Sequence, residues 1–124
     1  MSKTNVQERR VHERHDTRFE IQGTPDQGGV VARMVARNLS LGGLYCTSST
    51  DFPEMTRLAV RLMLPPENGG SAGEAEPVDL EAVVVRREET NGSSGGPRYD
   101  LALYFTGLNE LAKGQLRRYL DQNA

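Results

Sequence analysis

Apolar and polar residues alternate with a period of two along most of this chain, the pattern of a strand with one buried face. It is clearest at Leu58–Leu64. There Leu58, Val60, Leu62 and Leu64 share one face, and Ala59, Arg61 and Met63 share the other. Pro65 and Pro66 stop the run, because proline cannot donate to a ladder. The same reading gives strands at Thr17–Gln22 (Phe19 and Ile21 on one face), Val30–Arg37, Leu44–Thr47, Val78–Arg87 and Tyr99–Phe105. In the last of these Tyr99, Leu101, Leu103 and Phe105 fall on one side. Loops are expected where Gly and Pro gather: Gly23–Gly29, Ser48–Glu54, Glu67–Pro77 and Glu88–Pro97.

After the strands the period changes. Leu111, Ala112, Leu116, Tyr119 and Leu120 follow a helical stripe. Asn109 is placed to cap that helix and Glu110 suits its positive end. Gly114 inside the helix costs about 1 kcal/mol against Ala, so the helix needs tertiary support. Six short strands and one helix predict an all-β fold, a small closed barrel or sandwich with a helix at residues 109–122. Residues 1–8 are polar, without apolar periodicity, and are expected to form a flexible tail.

The 124 residues suffice for one compact domain. A net charge of -2 argues against a general binder of nucleic-acid polymers, which carries a basic surplus. So does an aromatic content of 6% with no Trp, since single-strand-binding barrels present stacking rings. A single cysteine, Cys46, excludes an internal disulfide framework and fits a reducing compartment. No apolar run is long enough to span a membrane and the N-terminus is polar, so a cytoplasmic protein without membrane insertion is expected.

Chemistry for catalysis is not apparent. The two histidines, His12 and His15, lie in a charged N-terminal segment with no cysteine or acidic cluster beside them, so no metal site is expected. Ser40 has no identifiable histidine partner, and Cys46, within a strand, reads as a small buried apolar group. No phosphate-loop or dinucleotide fingerprint is present. The expectation is a protein that is not an enzyme and needs no cofactor.

Two stretches remain. Arg9-Arg10-Val11-His12-Glu13-Arg14 places three arginines in six residues just before the first strand. Asn38-Leu39-Ser40-Leu41-Gly42-Gly43 joins the second strand to the third. On their own these read as a solvated charged tail and a β-turn. Together, in this order and strand context, they resemble the two-part signature of the PilZ family: Arg-x-x-x-Arg at Arg10 and Arg14, then Asp/Asn-x-Ser-x-x-Gly at Asn38, Ser40 and Gly43. A late strand with Leu103-Tyr104-Phe105 before a C-terminal helix extends the likeness along nearly the whole chain. Ala102 departs from the glycine that many members carry near that point.

The resemblance implies a six-stranded antiparallel PilZ-type β-barrel with a C-terminal α-helix, of the kind found in bacteria. It implies cyclic di-GMP as ligand, with Arg9, Arg10, Arg14, Asn38, Ser40, Gly42 and Gly43 as binding residues. Arginine's planar fork of donors matches phosphate oxygens and the O6/N7 edge of guanine. Asn38 would bond a guanine edge, Ser40 would add a hydroxyl contact, and Gly43 would keep the turn clear of side chains. An arginine at position 9 goes with binding a self-intercalated ligand dimer. On this reading residues 9–16 are a switch segment, residues 17–106 the barrel, and the receptor signals through an unidentified downstream protein. The alternative is a PilZ-like interaction module that binds no nucleotide.

Overall fold

A computed structural model describes residues 15–26, 28–65, 75–91 and 96–122. Six strands appear in chain order: β1 (His15–Pro25), β2 (Ala32–Leu39), β3 (Gly43–Ser48), β4 (Arg57–Leu64), β5 (Glu76–Asn91) and β6 (Pro97–Gly107). One helix, α1 (Glu110–Gln122), follows. The strands close into a barrel in the order β1-β2-β3-β6-β5-β4, and every neighbouring pair is antiparallel. Closure leaves no long exposed edge. The expected six-stranded antiparallel barrel with a C-terminal helix is therefore the fold observed.

The alternation seen in the sequence sets which face is inside. Leu58, Val60, Leu62 and Leu64 of β4 are all buried, as are Leu101, Leu103 and Phe105 of β6 and Phe19 and Ile21 of β1. Tyr99 packs against this core from its margin. Asn109 caps α1: the Ala112 N–H donates to its Oδ1 at 2.8 Å. From that start Ala112, Leu116, Tyr119 and Leu120 fall on the buried stripe and join the barrel core. The ring of Tyr119 meets Phe19 edge-on, centroids 6.1 Å apart. Leu111 departs from the expected stripe and is 72% exposed. It stands one residue, about 100°, away from Ala112 around the helix, beyond the reach of the core. Gln115 and Arg118 both donate to Glu76 Oε2, at 2.7 and 3.2 Å, and so fasten α1 to the start of β5.

The strands are longer than the sequence pattern suggested, and the reason is pairing. β1 continues past Gln22 because Gly23, Thr24 and Pro25 stay in register with Val60, Ala59 and Leu58. It begins at His15, since His15 and Asp16 pair with Leu39 and Asn38. β2 is displaced two residues towards the C-terminus. Val30 and Val31 are exposed, whereas Leu39 is fully buried. The expected loop from Glu88 to Pro97 is strand at both ends, with Glu88, Glu89, Thr90 and Asn91 paired to Asp100, Tyr99, Arg98 and Pro97. These residues are polar on both faces, so alternation could not report them. One anchor for this extension is Arg87, which bonds both carboxylate oxygens of Asp51 (2.5 and 2.9 Å) and lies 5.2 Å over the ring of Tyr99.

Candidate functional site

The outward face of β2, β3, β6 and β5 carries a cleft of about 410 Å³. Two irregularities flank it. Ala36 pairs with Cys46 and Asn38 with Tyr45, which leaves Arg37 as an extra residue in β2. Val84 pairs with Leu103 and Arg86 with Ala102, which leaves Val85 as an extra residue in β5. Such bulges bend a strand and re-aim the side chains around them. Arg37 and Asn38 thus border the cleft on one side, and Arg86 and Glu88 on the other. Tyr45 and Thr47 of β3 and Arg98, Asp100 and Ala102 of β6 lie between them.

Arginines outnumber acids in this lining, which favours an anionic occupant. The acids have a particular arrangement. Asp100 is the register partner of Glu88 on β5 and of Thr47 on β3. Its Oδ1 is buried and has no hydrogen-bond partner among the described residues; Arg98 Nε stands 3.7 Å away, at ion-pair distance. Below the lining lies Cys46, 1% exposed, whose thiol faces Met34 Sδ at 3.9 Å. Burial pushes that thiol up to about 12, with the Asp100 charge adding to the effect. The thiolate is the nucleophilic form, so Cys46 is unreactive at neutral pH. Among the described residues no three His, Cys, Asp or Glu side chains come together as metal ligands would.

The turn between β2 and β3 gives its residues distinct places. Asn38 is half-buried and lines the cleft, but Ser40 does not, because β2 ends at Leu39 and the chain turns there. Ser40 is 1% exposed. Its Oγ accepts from the Gly42 N–H at 3.2 Å and donates to the Gly43 carbonyl at 3.3 Å. The Ser40 N–H also donates to that carbonyl, at 2.9 Å, and the Phe105 N–H donates to the Gly42 carbonyl at 3.0 Å. Neither Gly42 nor Gly43 has a positive φ. What position 43 requires is close approach: a Cβ there would run into the Leu103 carbonyl oxygen of β6. Ser40, Gly42 and Gly43 thus seat the turn against β6, and Asn38 alone of the four faces the cleft.

Arg9, Arg10 and Arg14 lie outside the described residues. The chain nevertheless enters the barrel at His15, paired with Leu39, and Asp16, paired with Asn38. The first described residues therefore lie beside Asn38, which opens the second half of the signature. Sequence reasoning missed Arg37, Arg86, Arg98 and Asp100. Their only signal was charge at outward positions, which most surface strands share.

Residues 8–122 match the family model of the PilZ domain. The chain belongs to the PilZ domain family. Among solved structures it resembles the PilZ domain of YcgR from Escherichia coli, a structure with c-di-GMP, with a TM-score of 0.67 and 16% identity over 93% of this chain and 91% of that one. It resembles the inhibitor of motility MotI (DgrA) of Bacillus subtilis, with a TM-score of 0.65 and 23% identity over 94% of this chain and 54% of that one. The MrkH–c-di-GMP complex of K. pneumonia gives a TM-score of 0.69 and 16% identity, over 90% of this chain and 50% of that one. This PilZ domain thus spans about half the length of MotI and of MrkH. No curated protein matches it by sequence. Among the described residues no helix is long and apolar enough to cross a membrane.

Proposed function

We propose that this PilZ domain is a receptor for cyclic di-GMP, and that residues 9–14 close over the cleft when the ligand binds; His15 and Asp16, expected in the same switch segment, belong to β1 instead. The observation that carries this reading is the pairing of Asp16 with Asn38. Arg14 stands two residues before Asp16, and Arg10 six. A chain spans at most about 3.3–3.6 Å per residue, so both guanidinium groups can reach the cleft without any change in the barrel. Two guanines and two phosphates call for planar cationic donors, and the segment would add Arg10 and Arg14 to Arg37, Arg86 and Arg98. The c-di-GMP bound by the YcgR domain and by MrkH supports the choice of ligand.

The energetics suit a switch. Fixing the segment costs about 1–2 kcal/mol per residue. Micromolar affinity needs about 8 kcal/mol net. Charge-assisted hydrogen bonds of about 1.5–3 kcal/mol each meet that demand only together, so a partial set of contacts leaves the segment open. Closure changes the surface beside the β2–β3 turn, and a downstream protein reads that change. The domain acts by binding, without catalysis.

Isothermal titration calorimetry with cyclic di-GMP, and GTP as control, tests the reading. Saturable micromolar or tighter binding with cyclic di-GMP alone is expected. Arg10→Ala and Arg14→Ala should each weaken it at least about tenfold, a loss of about 1.4 kcal/mol. Two ligands per chain would accord with Arg9 holding an intercalated dimer; one would remove that role. Absence of binding by the wild-type protein overturns the receptor reading and favours an interaction module.

A further inference from the structure

We propose that Asp100 reads the hydrogen-bonding edge of a guanine base in the cleft and selects guanine over hypoxanthine and adenine. This rests on the cyclic di-GMP reading and names a residue outside the two-part signature. The starting observation is Asp100, whose side chain is 40% exposed at the cleft while its Oδ1 atom is buried and has no hydrogen-bond donor among the described residues. A buried acceptor without a donor is costly, and native proteins keep few of them. Arg98 at 3.7 Å moderates the charge but is too distant to bond. Glu88, across the ladder, is an acceptor itself and cannot help. Like charges facing each other across a ladder destabilise a sheet, and the exposed ion pair with Arg98 offsets this only in part.

A ligand that brings donors resolves the arrangement. An ionised carboxylate only accepts. Guanine presents N1–H and the N2 amino group side by side on its pairing edge, two donors for the two carboxylate oxygens once the Asp100 carboxylate turns Oδ1 towards the cleft. Hypoxanthine keeps N1–H and lacks the amino group. Adenine places a lone pair at N1, which would face the carboxylate. Asn38, at the opposite border of the cleft, both donates and accepts, so it can bond any of these bases and discriminates little. Asp100 and Glu88 are the acceptor-only groups of the lining, and Asp100, on the central strand β6, is the one with an oxygen that lacks a donor. The surrounding arginines keep its charge from repelling the phosphates. Tyr45, 40% exposed, lines the same cleft.

Calorimetry on the full chain decides this, with cyclic di-GMP, cyclic di-IMP (the hypoxanthine analogue) and cyclic di-AMP as probes. The wild-type protein should prefer cyclic di-GMP to cyclic di-IMP at least about tenfold, the factor expected from one hydrogen bond to a charged group. Asp100→Ala should weaken cyclic di-GMP at least about tenfold and bring the two affinities within about threefold. Asp100→Asn, which keeps one acceptor and the shape, should fall between. Thermal melting checks that each variant is folded. If Asp100→Ala binds cyclic di-GMP and retains the wild-type preference, Asp100 does not read the base, and the receptor reading stands without it. If the wild-type protein binds none of the three, the receptor reading and this assignment fall together.

Discussion

Strand β6 carries two regions that differ in almost every physical respect although they share one backbone. Inward go Leu101, Leu103 and Phe105, buried and packed into a single core. Outward go Arg98 and Asp100, with Ala102 at the foot of the cleft and Tyr104 56% exposed. The inner set is interchangeable in kind: any apolar side chain of fitting volume would fold the barrel. The outer set is specific in kind, and one of its carboxylate oxygens is left without a donor. A period of two lets the strand keep stability on one face and recognition on the other, so each can change with little effect on its counterpart.

The largest effect that tests this division is on the inner face. Leu101→Ala removes a side chain that is 1% exposed. It should cost about 2–5 kcal/mol, the range for a buried leucine that leaves a cavity. Asp100→Ala, one residue away on the outer face, should not lower stability and should raise it by about 1 kcal/mol, because it removes a buried acceptor without a donor. Urea denaturation of both variants makes the comparison. Similar midpoints for the two would show that the outer face also holds the barrel together.

Gly43→Ala sharpens the comparison, because it places a signature residue on the structural side of the division. The added methyl would meet the Leu103 carbonyl, which is backbone and cannot swing aside. Overpacking of this kind costs about 1–3 kcal/mol. The expected result is a lower urea midpoint in the absence of any ligand. Unchanged stability combined with lost cyclic di-GMP binding would instead put the close approach at Gly43 on the ligand's side.

Much of this could be read from the amino-acid order. Alternation at Leu58–Leu64 and Tyr99–Phe105 identified the inner face, and Asn109 marked the start of the helix. The limits were equally physical. At Glu88–Asn91 both faces are polar, and Pro97 and Arg98 opposite their end add no alternation, so no periodicity distinguished strand from loop, and the pairing of Glu88 with Asp100 stayed hidden. The extra residues Arg37 and Val85 shift which face follows them, and a bulge carries no fixed residue signature here. The cleft is assembled from four strands by register, which a linear pattern does not record. Within the signature, Asn38 was placed at the cleft, whereas the bonding of Ser40 inside the turn depends on where β2 ends.

The smallest effect concerns Cys46, which sits at the seam between the two regions. Its thiol is buried with the core, and it also feels the charge of Asp100 from the cleft. In the native protein the thiol holds its proton up to about pH 12, with burial the main cause and Asp100 the second. In the unfolded chain it loses the proton near its ordinary value of 9.0. Between those two values the unfolded state binds fewer protons than the native state, so stability must fall as pH rises. The contribution is complete below about pH 9 and should have fallen by about 1 kcal/mol at pH 10. Other groups titrate in the same range, so the quantity to measure is the difference between the wild-type protein and Cys46→Ala in urea midpoints from pH 8 to 10.5. The wild-type slope should be the steeper. Adding Asp100→Ala should lower the native thiol's proton affinity and flatten part of that difference. An Asp100→Ala slope identical to the wild-type slope, with both steeper than that of Cys46→Ala, would mean that the inner and outer faces of β3 and β6 are electrostatically independent.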